Sequence, residues 1–372
     1  MADLKITQLT ENTTPAPTDV LAIVDDPGGS PVTQKVEVET LATSDYFNVN
    51  SLARQAIING NFDVWQRGTS IAMTAANAYT ADRWYCETAT AGTDKTVSRE
   101  DGTGVNGSYY CARVKMVSDV DELLTFSQAL ESQDSIKFRG QKVTLSFYAR
   151  GGAEFVADNA TLVSKIVTGK GTDQKVLAFT TSADGVSQNN TLTTSWVKFT
   201  CTTTNVIASD ITQIGVSFAF THAGSGTTTN YFEVTQVQLC AGDVALPFMP
   251  KSYARELLDC MRYYYRMIAD AVYSRFGFGT AVTTGEINFG IPTKVPLRAL
   301  PTLSYSDLAK LQASDGVSAT TGLSTLALNT NTYSKDQVHC KITKAGSFTQ
   351  FRPYYIESSN SAGEWLAFDA EL

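Results

Sequence analysis

Charge is scarce in this chain. Only 18% of its 372 residues are Asp, Glu, Lys or Arg, and the formal net charge is −8. Such a balance leaves no basic face to neutralise a phosphate backbone, which argues against nucleic acid as a partner. Histidine is scarcer still: His222 and His339 are the two in the chain. There is no HExxH, no metal-spaced Cys/His set and no G-x-S-x-G. A Ser or Cys nucleophile would need one of those histidines, and nothing in the sequence links them to one. The six cysteines, Cys86, Cys111, Cys201, Cys240, Cys260 and Cys340, are scattered and form no C-x-x-C pair. They read as small buried hydrophobes with free thiols, in keeping with folding in a reducing cytoplasm. A basic-then-apolar leader is absent, as is any apolar run long enough to span a bilayer, so membrane insertion is not expected. The glycine pairs sit in turns without the strand-to-helix context of a phosphate loop, and no long β-helical repeat is present.

What the chain does have is Thr, Ser, Gly and Asn around 43% hydrophobic residues, enough for real cores in a length suited to two or three domains. The first segment, 1–50, reads as a short β arm. Leu4, Ile6 and Leu9 are spaced as a strand or turn, and Thr13 to Pro17 is a stiff linker. Val20 to Val24 is a short strand containing Ile23, stopped by the turn Asp25 to Gly29, and Val32, Val36 and Val38 alternate in a second strand. Two strands this short are unstable alone. They are expected to fold against a neighbouring copy or a larger assembly, or else on their own sandwich. Ala42 to Ala56 is expected as a short joining helix.

From 51 to 250 the pattern is strand and turn. Asn59-Gly60-Asn61 is a turn cluster followed by Phe62, Val64 and Trp84 as core material. In Lys142 to Arg150, Val143, Leu145 and Phe147 face one way while Thr144, Ser146, Tyr148 and Arg150 face the other. Strands are expected at Ser195–Thr200, Ile211–Phe220 and Tyr231–Leu239, the last with a bulge because its apolar phase slips between Val234 and Val237. Trp65, Trp84 and Trp196 read as core plugs. From 251 to 270 the spacing of Leu257, Met261, Tyr264 and Ile268 predicts one connecting helix, N-capped by Ser252. From 271 to 372, short strands bounded by Pro and Gly predict a second β-sandwich. In its last strand Leu366, Phe368, Ala370 and Leu372 face the core, and Trp365, Asp369 and Glu371 face out or toward a neighbouring subunit. The expected fold class is all-β: a jelly-roll sandwich and a smaller C-terminal β-sandwich, joined by one helix, with a short N-terminal β arm.

Several stretches carry a family resemblance. "KITQLTE…TDVLAIVDD…TQKVEVETL", "IINGNFDVWQRGTS…YTADRWY", "FRGQK" with the Ser-Phe-Tyr-Ala-Arg strand, "WVKFT", "YARELLDCMRYYYR" and the closing "EWLAFDAEL" resemble, in that order, the tail fibres and receptor-binding proteins of tailed bacteriophages. The Asn-Gly-Asn-Phe opening also resembles the first strand of carbohydrate-binding modules. The resemblance implies a virion protein on the tail or head surface, a homotrimer partnered by other tail or capsid proteins and by a host-surface glycan or other receptor. Leu4, Ile6, Leu9, Val20 and Ile23 would attach it to the particle, and Tyr148, Trp365 and Asp369 are the outward candidates for receptor contact. It implies recognition without catalysis and no cofactor beyond a structural calcium, with Asn59, Asp63 and Glu233 as the oxygen-bearing candidates. Two alternatives stand: a capsid head fibre or decoration protein of the same architecture, and a polysaccharide-degrading tailspike. The second needs two carboxylates facing across a sugar, for which Asp63 with Asp82, or Asp369 with Glu371, are the available pairs.

Overall fold

The computed structural model describes residues 18–25, 32–37, 55–117, 121–158, 160–222, 228–332 and 334–372. Leu4, Ile6, Leu9, the 13–17 linker and nearly all of the 42–56 helix lie outside them, as does the side chain of Ile23. The chain is predominantly β, with 47% of residues in strands and 9% helical. The arm is an antiparallel hairpin of β1 (Val20–Asp25) and β2 (Val32–Glu37), in which Val20 pairs with Glu37 and Val20 and Leu21 are exposed.

The jelly roll follows as β3 (Ser70–Ala72), β4 (Asn77–Tyr79), β5 (Tyr85–Thr88), β6 (Lys95–Asp101), β7 (Tyr110–Met116) and β8 (Glu122–Ala129). After the short helix α1 (Ser132–Ser135) come β9 (Val143–Gly151), helix α2 (Ala153–Asp158), β10 (Thr161–Lys170), β11 (Thr180–Thr191), β12 (Val197–Thr202), β13 (Gln213–His222) and β14 (Tyr231–Ala241). They form two six-stranded antiparallel sheets, ordered β11-β10-β13-β8-β5-β4 and β12-β9-β14-β7-β6-β3. One core lies between them, filled by residues that alternate inward, among them Val143, Leu145 and Phe147 from β9 and Val114 and Met116 from β7. Phe62 and Trp84 plug it, the Trp84 ring stacked on Phe126 with centroids 4.8 Å apart.

The expected bulge is present. The pairing of β14 with β9 shifts between Thr235 and Gln238, with Gln236 at φ +51°. The Asn-Gly-Asn turn explains its use: Val237 N–H donates to Gly60 O at 2.9 Å. A Cβ on Gly60 would stand 2.2 Å from Val237 O, so only glycine admits this approach. Asn59, at φ +57°, ties the turn to its surroundings. Its amide donates to Val64 O and Asp82 O, its Oδ1 accepts from Val64 N–H, and its carbonyl accepts from the Trp84 indole.

Beyond the jelly roll, Ser252 caps helix α3 (Tyr253–Met261), accepting from Arg255 N–H. The helix ends nine residues earlier than its apolar spacing suggested. Residues Tyr264–Ile268 form β15, an antiparallel partner of the last strand. Consecutive tyrosines suit a strand buried on both faces. Tyr263, Tyr264 and Tyr265 are all buried because this stretch lies between the two β modules, Tyr265 in the C-terminal core and Tyr263 against the jelly roll.

The C-terminal module continues with β16 (Arg275–Thr283), β17 (Glu286–Pro292), β18 (Thr302–Tyr305), β19 (Leu311–Ser314), β20 (Ala319–Thr320), β21 (Thr325–Leu328), β22 (Gln337–Thr343), β23 (Pro353–Ser358) and β24 (Trp365–Asp369). A three-stranded sheet, β15-β24-β18, packs with a seven-stranded one, β20-β19-β23-β16-β17-β22-β21, around a separate core that includes Leu366, Phe368 and Ala370. Leu372, expected in that core, instead packs against Ala129, Val167, Val176 and Phe179 of the jelly roll.

Candidate functional site

Strand register fixes what stands on the outer face of the β12-β9-β14-β7-β6-β3 sheet. Since Phe232 and Val234 point into the core, Tyr231, Glu233 and Thr235 point away from it. Arg113, Glu233 and Arg150 are directly opposite one another across β7, β14 and β9. The neighbouring rows place Lys115 opposite Tyr231, and Thr235 opposite Tyr148, which in turn pairs with Lys198. Glu233 is fully buried although it faces outward, because two guanidiniums close over it. Arg113 Nε donates to Oε1 at 2.8 Å and Arg150 Nε to Oε2 at 2.5 Å. Each guanidinium also lies on a ring: Arg113 is 4.0 Å from the Tyr231 centroid and Arg150 4.7 Å from that of Trp196. Trp196 is therefore not the core plug that its position at a strand start suggested. It is half-buried on the outer face, under the β6–β7 loop, where a Cβ on Gly104 would stand 2.8 Å from its ring. Its indole nitrogen is buried without a partner.

Beside this row, where β6 ends and β7 begins, opens a cleft of about 460 Å³ lined by Thr69, Arg99, Glu100, Asp101, Thr103, Tyr109 and Tyr110. Tyr109 is 65% exposed and meets Tyr110 edge-on, centroids 4.6 Å apart. Arg99 stacks on the Tyr110 ring at 4.1 Å. Glu100 accepts from Ser98 at 2.7 Å and lies 3.6 Å from Arg113, so cleft and outer face share a residue. The hydrogen bonds from Thr103 hold the Asp101 carboxyl below the ordinary range, which keeps it an ionised acceptor. An open aromatic ring, a stacked guanidinium, two carboxylates and two threonines give this cleft both donors and acceptors beside an apolar platform.

The sequence-derived candidates fare differently. Tyr148 is half-buried on the outer face, between Thr235 and Lys198. Trp365 does not present a free ring, since Arg266 covers it at 4.4 Å. Asp369 and Glu371 face the jelly roll. Asp369 pairs with Arg67 at 2.9 Å, and Glu371 pairs with Arg83 and, at 3.5 Å, with Arg67. The reason is the domain junction, which alternation in a single strand does not reveal. Here Glu131 holds Arg262 at 2.8 Å, Asp173 holds Arg298 at 3.2 Å, and Glu256 accepts from Asn59 N–H at 2.5 Å. The Arg83 guanidinium lies 3.6 Å from the centre of the Tyr263 ring and donates to Ala129 O. Asp82, fully buried, accepts from Gln66, and burial lifts its carboxyl to about 6 despite Arg67 nearby.

The calcium candidates are likewise engaged. Asn59 is the hub of its turn, and a Glu233 carboxylate shared by two arginines offers a cation no ligand. Asp63 accepts from Asn61 at 3.3 Å, with its carboxyl raised by burial. Among the described residues no group of three or more His, Cys, Asp or Glu is placed to hold a metal ion. All six cysteines are buried and unpaired. Among the described residues no helix is long and apolar enough to cross a membrane. His339 is half-buried on β22, and the side chain of His222 lies outside the described residues.

No protein-family model and no curated protein matches the chain. Among solved structures, about half of it is similar to the enzymatically active domain of tailspike protein 4 of bacteriophage CBA120, with 12% identity over 50% of this chain and 21% of that one, at a TM-score of 0.34. It is similar to the carbohydrate-binding module TmCBM61, solved in complex with β-1,4-galactotriose, with 12% identity over 50% of this chain and 99% of that one, at 0.30. The CBM22-1 xylan-binding domain of Xyn10C from Paenibacillus barcinonensis matches with 12% identity over 47% and 94%, at 0.27. The matched part thus spans about a fifth of the tailspike chain.

Proposed function

We propose that the chain is a host-attachment protein of a tailed phage particle, a fibre or receptor-binding protein that holds a surface glycan without turning it over. One observation carries this reading: the cleft at the end of the jelly roll, where Tyr109 offers an exposed ring beside Arg99, Glu100 and Asp101. A ring face suits the C–H face of a pyranose, and mixed donors and acceptors suit its hydroxyls. Non-catalytic use is supported by the fate of the acid pairs. Asp82, Asp369 and Glu371 are engaged with arginines or amides at the junction rather than aimed across a cavity. Affinity of one such cleft for one sugar is expected to be weak, with repeated copies in a trimer raising avidity. The β1–β2 arm, with Leu4, Ile6, Leu9, Val20 and Ile23, is proposed as the particle anchor.

The test is binding of the full chain to host surface polysaccharide, with reducing ends and released acetate assayed in parallel. Binding without release is the expected result. Release that scales with protein concentration overturns the non-catalytic reading, and no binding to any surface saccharide overturns attachment. Light scattering at micromolar concentration is expected to give three copies per particle, and a monomer would remove the trimer.

A further inference from the structure

We infer that the glycan held by this protein is acidic, and that its anionic groups lie on the outer face of the β12-β9-β14-β7-β6 strands. The inference rests on the attachment reading above and extends the ligand surface from the cleft across the sheet. The outward strand positions carry four cations, Arg113, Lys115, Arg150 and Lys198, against two carboxylates, Glu100 and Glu233. The face is therefore positive in a chain whose net charge is −8. Local potential, not the sum over the chain, decides what a patch attracts.

The geometry is built rather than incidental. The backbones of Arg113 and Arg150 stand two strand spacings apart, about 10 Å, and their guanidiniums converge on Glu233 between them. The buried Glu233 between them orients both forks, and Tyr231 and Trp196 back one guanidinium each. The two arginine side chains nevertheless keep 25% and 31% of their surface open to solvent. Fixed, partly hydrated guanidiniums are suited to carboxylate, sulfate or phosphate groups. A second protein copy fits less well, because protein interfaces are depleted of charge at their centre and this face is charged at its centre. Glu100 links the two regions, lining the cleft and facing Arg113. A polymer that reaches past Glu100 from the cleft would meet Arg113.

The experiment measures binding of the full chain to polygalacturonate, heparin and glycerol teichoic acid. Dextran and fully methyl-esterified polygalacturonate serve as neutral controls, at low and high salt. At least one anionic polymer is expected to bind more than tenfold tighter than the neutral ones, with affinity falling as salt rises. Lys115→Glu with Lys198→Glu, the first half-buried and the second exposed, is expected to weaken that binding at least tenfold with little change in the unfolding midpoint. Anionic and neutral polymers binding alike, or an indifferent double variant, overturns the inference. Neutral binding that depends on Tyr109, with no anionic binding, overturns it while leaving attachment intact, whereas no saccharide binding removes both. Equal affinity for single-stranded DNA, or salt-sensitive self-association lost in the double variant, also overturns it.

Discussion

Glu233 and Glu371 are the same device in two places. Each is a buried carboxylate held by two arginines, with side-chain exposures of 0% and 2%. What differs is the arginines. At the junction Arg83 and Arg67 expose 1% and 11% of their side chains, and Arg83 is closed in by Tyr263 and Ala129 O. On the outer face Arg113 and Arg150 expose 25% and 31%, with a ring on one side and water on the other. Desolvating both partners makes an ion pair a structural tie, since any unmatched charge is then stranded. Desolvating only the carboxylate makes it an organiser that leaves positive charge available.

Removing the carboxylates should separate the two cases. Glu371→Gln strands Arg83 between modules and is expected to destabilise the chain by about 3–5 kcal/mol, read from denaturant unfolding at pH 7. Because Arg67 and Arg83 belong to the jelly roll and Glu371 follows β24, both modules should lose stability together. Glu233→Gln leaves guanidiniums that can rehydrate, so about 1–2 kcal/mol is expected. That change also adds a net positive charge to the face, and affinity for an acidic polysaccharide should rise a few-fold. Equal costs for the two variants would break the comparison, as would weaker polymer binding in Glu233→Gln.

The junction should also show itself in pH. Burial raises the Asp82 carboxyl from the ordinary 3.8 to about 6, so the folded state holds its proton more tightly than the unfolded chain does. The sign follows from linkage: this group's contribution favours folding below about pH 4, and is progressively lost as pH rises from about 4 to 6. Burial raises Glu256 in the same direction. Asp101 and Glu131 are shifted the other way, and their contributions are lost on acidification instead. The difference in unfolding free energy between Asp82→Asn and the unaltered chain is therefore expected to move in favour of the variant between pH 4 and pH 6 and then level off. A difference that is flat with pH would mean that Asp82 is not desolvated as its position implies.

The same contrast explains what could be read from the sequence. Alternation in Lys142–Arg150 fixed the inward set Val143, Leu145 and Phe147, and the slipped phase at Val234 and Val237 gave the bulge, because both are local patterns along one strand. The register that sets Arg113 opposite Glu233 joins residues 120 positions apart, and nothing local records it. Alternation rightly put Glu371 off the C-terminal core, but it could not show that a second module covers that side. Tyr264 and Ile268 fell on helical spacing by coincidence over one turn. A run of three tyrosines was the better signal for a strand buried on both faces. Trp196 was misplaced for a related reason: a tryptophan at a strand start is usually apolar filling, and the partner that draws it outward, Arg150, lies on another strand.

The smallest effect on stability should come from the cleft, and it separates recognition from architecture. Tyr109→Ala removes an exposed ring that supports no core residue, so the unfolding free energy should stay within about 0.5 kcal/mol. Loss of a stacking platform should still weaken saccharide binding about tenfold, equivalent to about 1.4 kcal/mol. Tyr110→Ala is the informative partner, because its ring meets both Tyr109 and Arg99. Removing it should weaken binding as much as Tyr109→Ala does, and should add a measurable loss of stability from the half-buried ring itself. If Tyr110→Ala binds normally while Tyr109→Ala does not, the ring acts without its guanidinium neighbour and Arg99 has no part in the site. If both bind normally, the outer face alone makes the contact and the cleft is a bystander.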